Sequence, residues 1–301
     1  MAAGYLHRDY AESLAEYGTP RHLPLSDGWI LERRIPGADA RDAMGCYPLF
    51  CCRTWNGLPE DVEALRNDIV SLVLVADPLG DHSPELLASA FDEVTPYKEH
   101  YVIETGRPAA DFVNKSHRVH AMRALRDVTV DVCPEPRALL DEWQRLHGVL
   151  AARHAITGVR RFSRSAFETQ LAIPGMVMFR ATARGQVVGL DLWYVQGDCA
   201  QGHLAAFDEL GYELSASYAT KWRMIEYFSD KVRWINLGGT TAHEQNGGLD
   251  HFKRGWSTGT RTAWLCGRVL QPASYDALVR AHQGRAAVSG YFPAYRHGEF
   301  K

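Results

Sequence analysis

Between Trp234 and Trp256 the chain reads W-I-N-L-G-G-T-T-A-H-E-Q-N-G-G-L-D-H-F-K-R-G-W, which sets one lysine close behind an apolar strand. The strand R-W-I-N-L stops at the double glycine Gly238-Gly239, a polar loop follows, and Phe252-Lys253 leads into Gly255-Trp256. Ligand crevices of open sheets lie at the carboxyl ends of strands. Lys253 is therefore a candidate to hold a phosphate or steady an oxyanion; its plainer reading is a surface lysine before a turn. Arg254 beside it points elsewhere, as a surface or phosphate contact. Asn236 alternates with Ile235 and Leu237, which makes its amide a candidate to face a cleft. His243 and Glu244, with Gln245 and Asn246, are candidates to line an acceptor pocket.

A second group surrounds the end of the strand A-Q-G-H-L-A-A-F and the helix after it. His203 titrates near neutrality and can accept a proton, or it is a core histidine satisfied by a carbonyl. Asp208 and Glu209 can serve as base or hold an ammonium, against a reading of simple loop acidity. Tyr212 and Tyr218 flank the helix start and can protonate a leaving oxygen, or merely pack. Ser215 and Ser217 can cap that helix and donate to a phosphate. The pair Arg160-Arg161, with Arg164 close by, can clamp a phosphate bidentately.

These side chains suit amide formation from an activated ester or thioester. That reaction needs a neutral amine, a protonated leaving group and a stabilised oxyanion, the last contributing about 3 to 4 kcal/mol per well-aimed donor. Backbone N–H groups can supply it, so no nucleophilic triad is required, and neither G-x-S-x-G nor a Cys/His pattern occurs. The six cysteines show no C-x-x-C spacing, and His147 and His154 have no carboxylate at ligand spacing, so no metal site is expected.

The elements that must position these groups follow from the pattern. In the first half, Tyr10 to Tyr17 predicts a short helix, Gly28 to Ile35 a strand, and Leu58 to Asn67 a helix with Pro59 near its start. Ile69 to Val75 predicts a buried strand, and Ser83-Pro84 the start of a helix. Residues 97–104 predict a strand, Asn114 to Asp127 a basic helix, and V-T-V-D-V another strand. The two prolines of C-P-E-P-R (133–137) mark the expected domain boundary, giving 1–134 and 135–301. Beyond it come a long helix (Arg137 to His154) and a shorter one (Ser165 to Ala172). Three meandering strands, a helix from Ala216 to Ser229 and the strand before the double glycine complete the order. A parallel strand returning beside the meander can leave a gap that admits an acyl arm.

Length and composition set the frame. The 301 residues suffice for two domains, and 46% hydrophobic with 23% charged residues fits a globular protein. No apolar run approaches the roughly 20 residues that span a bilayer, and the N-terminus carries charges where a signal peptide needs apolar residues. A cytoplasmic protein with reduced cysteines is expected. The net charge of −3 hides three stretches without an acid. They hold Lys115, Arg118, Arg123 and Arg126; then Arg145, Arg153, Arg160, Arg161 and Arg164; then Lys253, Arg254, Arg261 and Arg268. Converging, they would form a phosphate-binding surface; apart, they are solvated faces.

The element order resembles that of the GNAT acyltransferases. The C-terminal stretch is similar to the Fem-type (FemABX) branch in Leu237-Gly238-Gly239 and in Phe252-Lys253-Arg254-Gly255-Trp256, and Ser116-His117-Arg118 with Arg123-Ala124 adds to the likeness. The resemblance covers residues 28 to 270 and implies an α/β (α+β) fold of tandem GNAT-like domains with mixed, splayed central sheets. It implies an aminoacyltransferase that moves an aminoacyl group from aminoacyl-tRNA to an amine of a small molecule or cell-wall precursor, with no bound cofactor. Acyl-CoA users of this fold hold the pyrophosphate on a glycine-rich loop at a helix N-terminus. Here the corresponding residues are E-L-G-Y-E-L-S-A-S-Y (209–218), with no glycine after Gly211. An acyl-CoA-dependent N-acyltransferase is the alternative, and a non-catalytic peptide- or tRNA-binding module a second. The coiled-coil arm of some Fem-type enzymes is missing.

Overall fold

The strand-forming runs become strands close to where their residues predict them. A computed structural model describes residues 2–240, 247–282 and 291–299. Its strands are β1 (Thr19–Leu23), β2 (Gly28–Arg34), β3 (Arg41–Gly45), β4 (Ser71–Val75), β5 (Glu93–Glu104) and β6 (Thr129–Cys133). The others are β7 (Met176–Ala183), β8 (Gln186–Gln196), β9 (Cys199–Phe207), β10 (Trp234–Thr240) and β11 (Gly259–Val269). The N-terminal helix is shorter than expected, Arg8–Glu12, with His7 Nδ1 accepting from Asp9 N.

The chain divides into two compact units, residues 5–97, 157–162 and 263–301 in one, and 1–4, 98–156 and 163–262 in the other. Each is assembled from separate stretches of the chain, and β5 and β11 each have residues in both. The expected boundary at 134/135 is therefore not where the units part: Cys133–Arg137 lies inside the second, directly after β6.

In the first unit the strands run β1-β2-β3-β4-β11. The meander is antiparallel, β3 and β4 are parallel through Ala43–Leu72 and Met44–Val73, and β11 returns antiparallel to β4. Between β3 and β4 the chain forms the helix Leu58–Ala64, with Pro59 in its first turn. Ser83 caps the helix Pro84–Ala90 by accepting from Leu86 N at 3.2 Å, as Ser-Pro predicts. Phe50, Trp55, Leu72, Leu74 and Cys266 are among its core residues.

The second unit repeats this plan in the order β5-β10-β9-β8-β7-β6. Strands β6 to β9 form an antiparallel meander, and the helix Ala216–Phe228 leads to β10, which lies parallel to β9. That parallel pairing joins Trp234, Ile235 and Asn236 to Cys199, Ala200 and Gln201. Beyond it β9 continues to Phe207 and β10 to Thr240, so the two strands part. A bulge between Asn236 and Gly239 against β5, with Gly238 at φ +81°, turns β10 at that point. Phe228, Met224, Ile235, Trp193 and Trp256 are buried among the core of one sheet face. The helix Lys115–Ala124 adds His117 and Ala121 to the unit's buried residues.

Candidate active site

Where β10 leaves β9, polar groups gather on a glycine corner. Asn236 is 2% exposed, and its amide is fully engaged. Its Nδ2 donates to Gln201 Oε1 at 2.7 Å, and its Oδ1 accepts from Gly238 N at 2.9 Å. The same oxygen lies 3.1 Å from His100 Nδ1 on β5. An amide oxygen only accepts, so Nδ1 must carry the proton of that bond. Burial above all, helped by the charges of Lys253 and Lys98, pushes His100 down to about 3. The imidazole is then neutral, with its proton on Nδ1 and a bare lone pair on Nε2.

The double glycine makes room for two side chains. A Cβ on Gly239 would lie 2.5 Å from His100 Cδ2 and 2.8 Å from its Nε2, and one on Gly238 would lie 3.2 Å from Lys253 Nζ. Lys253 Nζ donates to Gly239 O at 3.0 Å. Lysine and neutral histidine thus meet at the same backbone corner.

Lys253 stands on a short helix, Gly248–Arg254, where the sequence predicts a polar loop. Asp250, 1% exposed, fixes that helix from below. It accepts from Tyr101 OH at 2.5 Å, Thr240 Oγ1 at 3.3 Å and Arg254 Nη2 at 2.7 Å. Burial first, and the bond to Asp250 second, raise the Tyr101 pKa and keep its phenol a donor. From the helix Lys115–Ala124, His117 Nε2 donates to Phe252 O at 3.1 Å, and Asn114 N just before that helix donates to Gly255 O at 2.8 Å. The ring of His117 occupies the place that a Cβ on Gly255 would take. Each residue of Phe252-Lys253-Arg254-Gly255-Trp256 thereby has a local duty, down to Trp256, which is fully buried.

Residues 114–254 match the family described as the acetyltransferase (GNAT) domain. That part of the chain is similar to a GNAT domain. The fold is similar to that of FemX, at 11% identity over 90% of this chain and 93% of that one, with a TM-score of 0.67. It is similar also to the C-terminal domain (DUF2156) of a putative lysylphosphatidylglycerol synthetase from Agrobacterium fabrum, at 16% identity over 86% and 87%, TM-score 0.61. L-PGS from Bacillus licheniformis gives 11%, 89% and 94%, with a TM-score of 0.56. No curated protein matches the sequence. The mixed α/β fold is thus of the GNAT acyltransferase type, repeated in tandem, and Fem-like.

Within the matched residues, Lys253 and Asn236 meet at the glycine corner, while the other candidates take separate places. His203 Nε2 lies 3.3 Å from Gln170 Oε1, and desolvation, with the charge of His147, lowers it to about 3. A base must titrate near its working pH, and His203 does not. Asp208 caps the helix Glu209–Glu213 by accepting from Gly211 N at 2.9 Å, and it pairs with Arg145. Those bonds give it a structural duty in place of the free base expected of it. Glu209 is exposed on that helix, and Tyr212 packs beneath the Arg153 guanidinium, 4.3 Å from the ring centre. Tyr218 packs edge-on to His117 and Phe252, 5.2 and 5.0 Å between ring centres.

Ser215 stands at the helix N-cap in the left-handed region, at φ +55°, and its side chain caps nothing. The cap expected of Ser215 is absent, and its backbone is not the extended one from which an N-cap side chain accepts. Ser217 is half-buried in the first turn. Arg164 is tied to Gln144 and Asp141, and Arg254 to Asp250. Arg160 and Arg161 are exposed on a short 3-10 turn of the other unit. His243 and Glu244 lie outside the described residues. Among the described residues no cluster that could hold a metal occurs, and no helix is long and apolar enough to cross a membrane.

Sequence reasoning missed His100, Tyr101 and Asp250. The signal for His100 was present in Y-K-E-H-Y-V-I-E, where it alternates with the core residues Tyr101 and Ile103 and so faces away from them. What was missing was its partner, 136 residues away on β10.

The tautomer carries a prediction. Asn can place a donor where Nδ1–H stands, whereas Gln reaches only the Nε2 position. His100→Asn is expected to keep the corner and His100→Gln to loosen it, read as slower against faster exchange of the Gly238 amide proton. Equal exchange in both would mean that the Nδ1–H bond does not hold the corner. The sign of the pH effect is also fixed. Because folding depresses the His100 pKa from its ordinary 6.5, the unfolded chain binds the proton more readily. Stability is present above about 6.5 and falls as pH drops toward 3. A native-chain melting temperature that held level over that window would contradict the assignment.

Proposed function

We propose that the chain forms an amide by moving an aminoacyl group from aminoacyl-tRNA to an amine of a small molecule or cell-wall precursor. The amine nitrogen bonds to the ester carbonyl carbon, the bond to the ribose oxygen breaks, the amine gives up a proton, and the ribose oxygen takes one up. Lys253 is the cation for the oxyanion or a donor phosphate, and Asn236 with His100 holds the corner on which it sits.

The observation that carries this reading is the seating of Lys253 on Gly239 O where β10 parts from β9. It puts a fixed cation at the mouth of a gap in the sheet, where charge develops during acyl transfer. The Fem-like fold supports the reaction class. For the donor, residues 209–213 form a helix capped by Asp208, where an acyl-CoA enzyme presents a glycine-rich turn. That favours tRNA.

Acyl-CoA is the second reading, and one observation favours it. The 13-residue helix from Ala216 has no side-chain cap; Tyr218 N donates to Ser215 O, which leaves the N–H groups of Ala216 and Ser217 as the ones a phosphate would meet. Donor competition separates the two. Purified protein given charged tRNA pools and acyl-CoA together, with a panel of amines, is expected to discharge the tRNA and leave the CoA ester intact, followed by mass spectrometry. Consumption of CoA alone ends the tRNA reading. Consumption of neither, across the panel, leaves a binding module.

A further inference from the structure

Of the three acid-free basic stretches, the first sets its cations along one exposed helix face inside the matched residues 114–254. In the second, Arg145 pairs with Glu142 and Asp208, Arg164 with Asp141, and Arg153 lies on the Tyr212 ring, while Arg160 and Arg161 are exposed on a short turn of the other unit. In the third, Arg254 pairs with Asp250, Arg268 with Asp92, and Arg261 lies on the Trp234 ring. On the helix Lys115–Ala124 and the turn after it, by contrast, Lys115, Arg123 and Arg126 are exposed and have no anionic partner among the described residues. Arg118 donates only to a carbonyl, Ala110 O.

The helix buries His117, Ala121 and Ala124, so its outward stripe is Lys115, Val119, Met122 and Arg126, with Arg123 at its flank. At 1.5 Å per residue that stripe is about 16 Å long. Its N-terminal turn carries Lys115 and no acid, against the usual preference for negative charge at that end. Self-repulsion of this kind is relieved by a polyanion. The stripe is also tied to the helix of Lys253 by the bonds from His117 to Phe252 O and from Asn114 to Gly255 O.

We propose that this face docks the phosphate backbone of an RNA stem, the acceptor arm of the donor, and so delivers its charged end to Lys253. The inference rests on the tRNA reading above. An anionic membrane surface fits less well. Interfacial helices bury a broad apolar face rich in Trp, Phe and Leu, whereas Val119 and Met122 are the only exposed large hydrophobics on this helix.

The test uses a fluorescent, uncharged RNA minihelix ending in CCA and the full chain. Lys115→Ala, Arg123→Ala and Arg126→Ala combined should weaken binding at least tenfold near 0.1 M salt. Every cation withdrawn from a phosphate flattens the plot of log affinity against log salt by about 0.7 to 0.9, so the triple variant should flatten it by roughly 2. The KM for charged tRNA should rise with it, while the melting temperature stays put because the side chains are exposed. Unchanged RNA affinity and slope in the triple variant overturn the proposal. So does a wild-type chain that binds phosphatidylglycerol vesicles through these residues and leaves the minihelix free. If charged tRNA is consumed with the same KM by both proteins, this surface fails and the donor reading stands. If the wild type consumes only acyl-CoA, the donor reading fails with it.

Discussion

Lys253→Ala is expected to lower turnover more than tenfold while the protein keeps its fold. The size follows from what the ammonium does. A fixed donor aimed at a developing oxyanion contributes about 3 to 4 kcal/mol, which is a factor of 10² to 10³. Structurally the same side chain donates to Gly239 O from a half-buried position at the end of a short helix. A bond from a charged donor contributes about 1.5 to 3 kcal/mol when buried, and less in this half-buried position. Catalysis should therefore fall much further than the melting temperature.

The kinetic pattern separates the two duties open to Lys253. A cation acting on the oxyanion lowers kcat and kcat/KM together, whereas one holding a donor phosphate raises KM and leaves kcat near its native value. Arginine should not restore the oxyanion role. Nζ sits 3.2 Å from where a Cβ on Gly238 would be, and a planar guanidinium does not fit a corner cut for one ammonium. Unchanged turnover in Lys253→Ala would take the residue out of the site.

The sequence made Lys253 and Asn236 visible for different reasons. Asn236 is polar in an otherwise apolar strand, and period-2 alternation is enough to set it apart from Ile235 and Leu237. Lys253 was visible through its position behind a strand, although the helix that holds it was not. Gly248–Arg254 is too short for a periodic signal and has no side-chain N-cap to announce it. Asp250, which fixes that helix, reads in sequence as one more loop acid. Only the approach of Tyr101 and Thr240 makes it the buried anchor. The domain boundary failed for a related reason. Two prolines do punctuate residues 133–137, but each unit is assembled from separate stretches of the chain, and local composition does not encode such long-range assembly. His203 and Asp208 stood out in the sequence by residue type alone, and the desolvation of the one and the capping bond of the other appear only in the fold.

The glycine of the F-K-x-G-W run gives the second large effect. Gly255→Ala is expected to destabilise the protein by about 3 kcal/mol, the upper end of the usual cost of overpacking. Its φ of −67° is open to any residue, so the cost does not come from the backbone. It comes from the His117 ring, three atoms of which lie within 2.7 Å of the new Cβ. That ring cannot move freely. Its Nε2 holds Phe252 O, and Tyr218, Phe252 and Trp256 pack around it at 5.2 to 5.9 Å between ring centres. If the ring yields, the helix carrying Lys253 loses its tie, and activity falls with stability. A double-mutant cycle isolates the cause. His117→Ala removes the obstacle, so Gly255→Ala made in that background should cost at least about 1 kcal/mol less than in the native chain, measured by denaturant unfolding. Additive costs would mean that the ring does not set the identity of residue 255, and that the glycine answers to something other than His117.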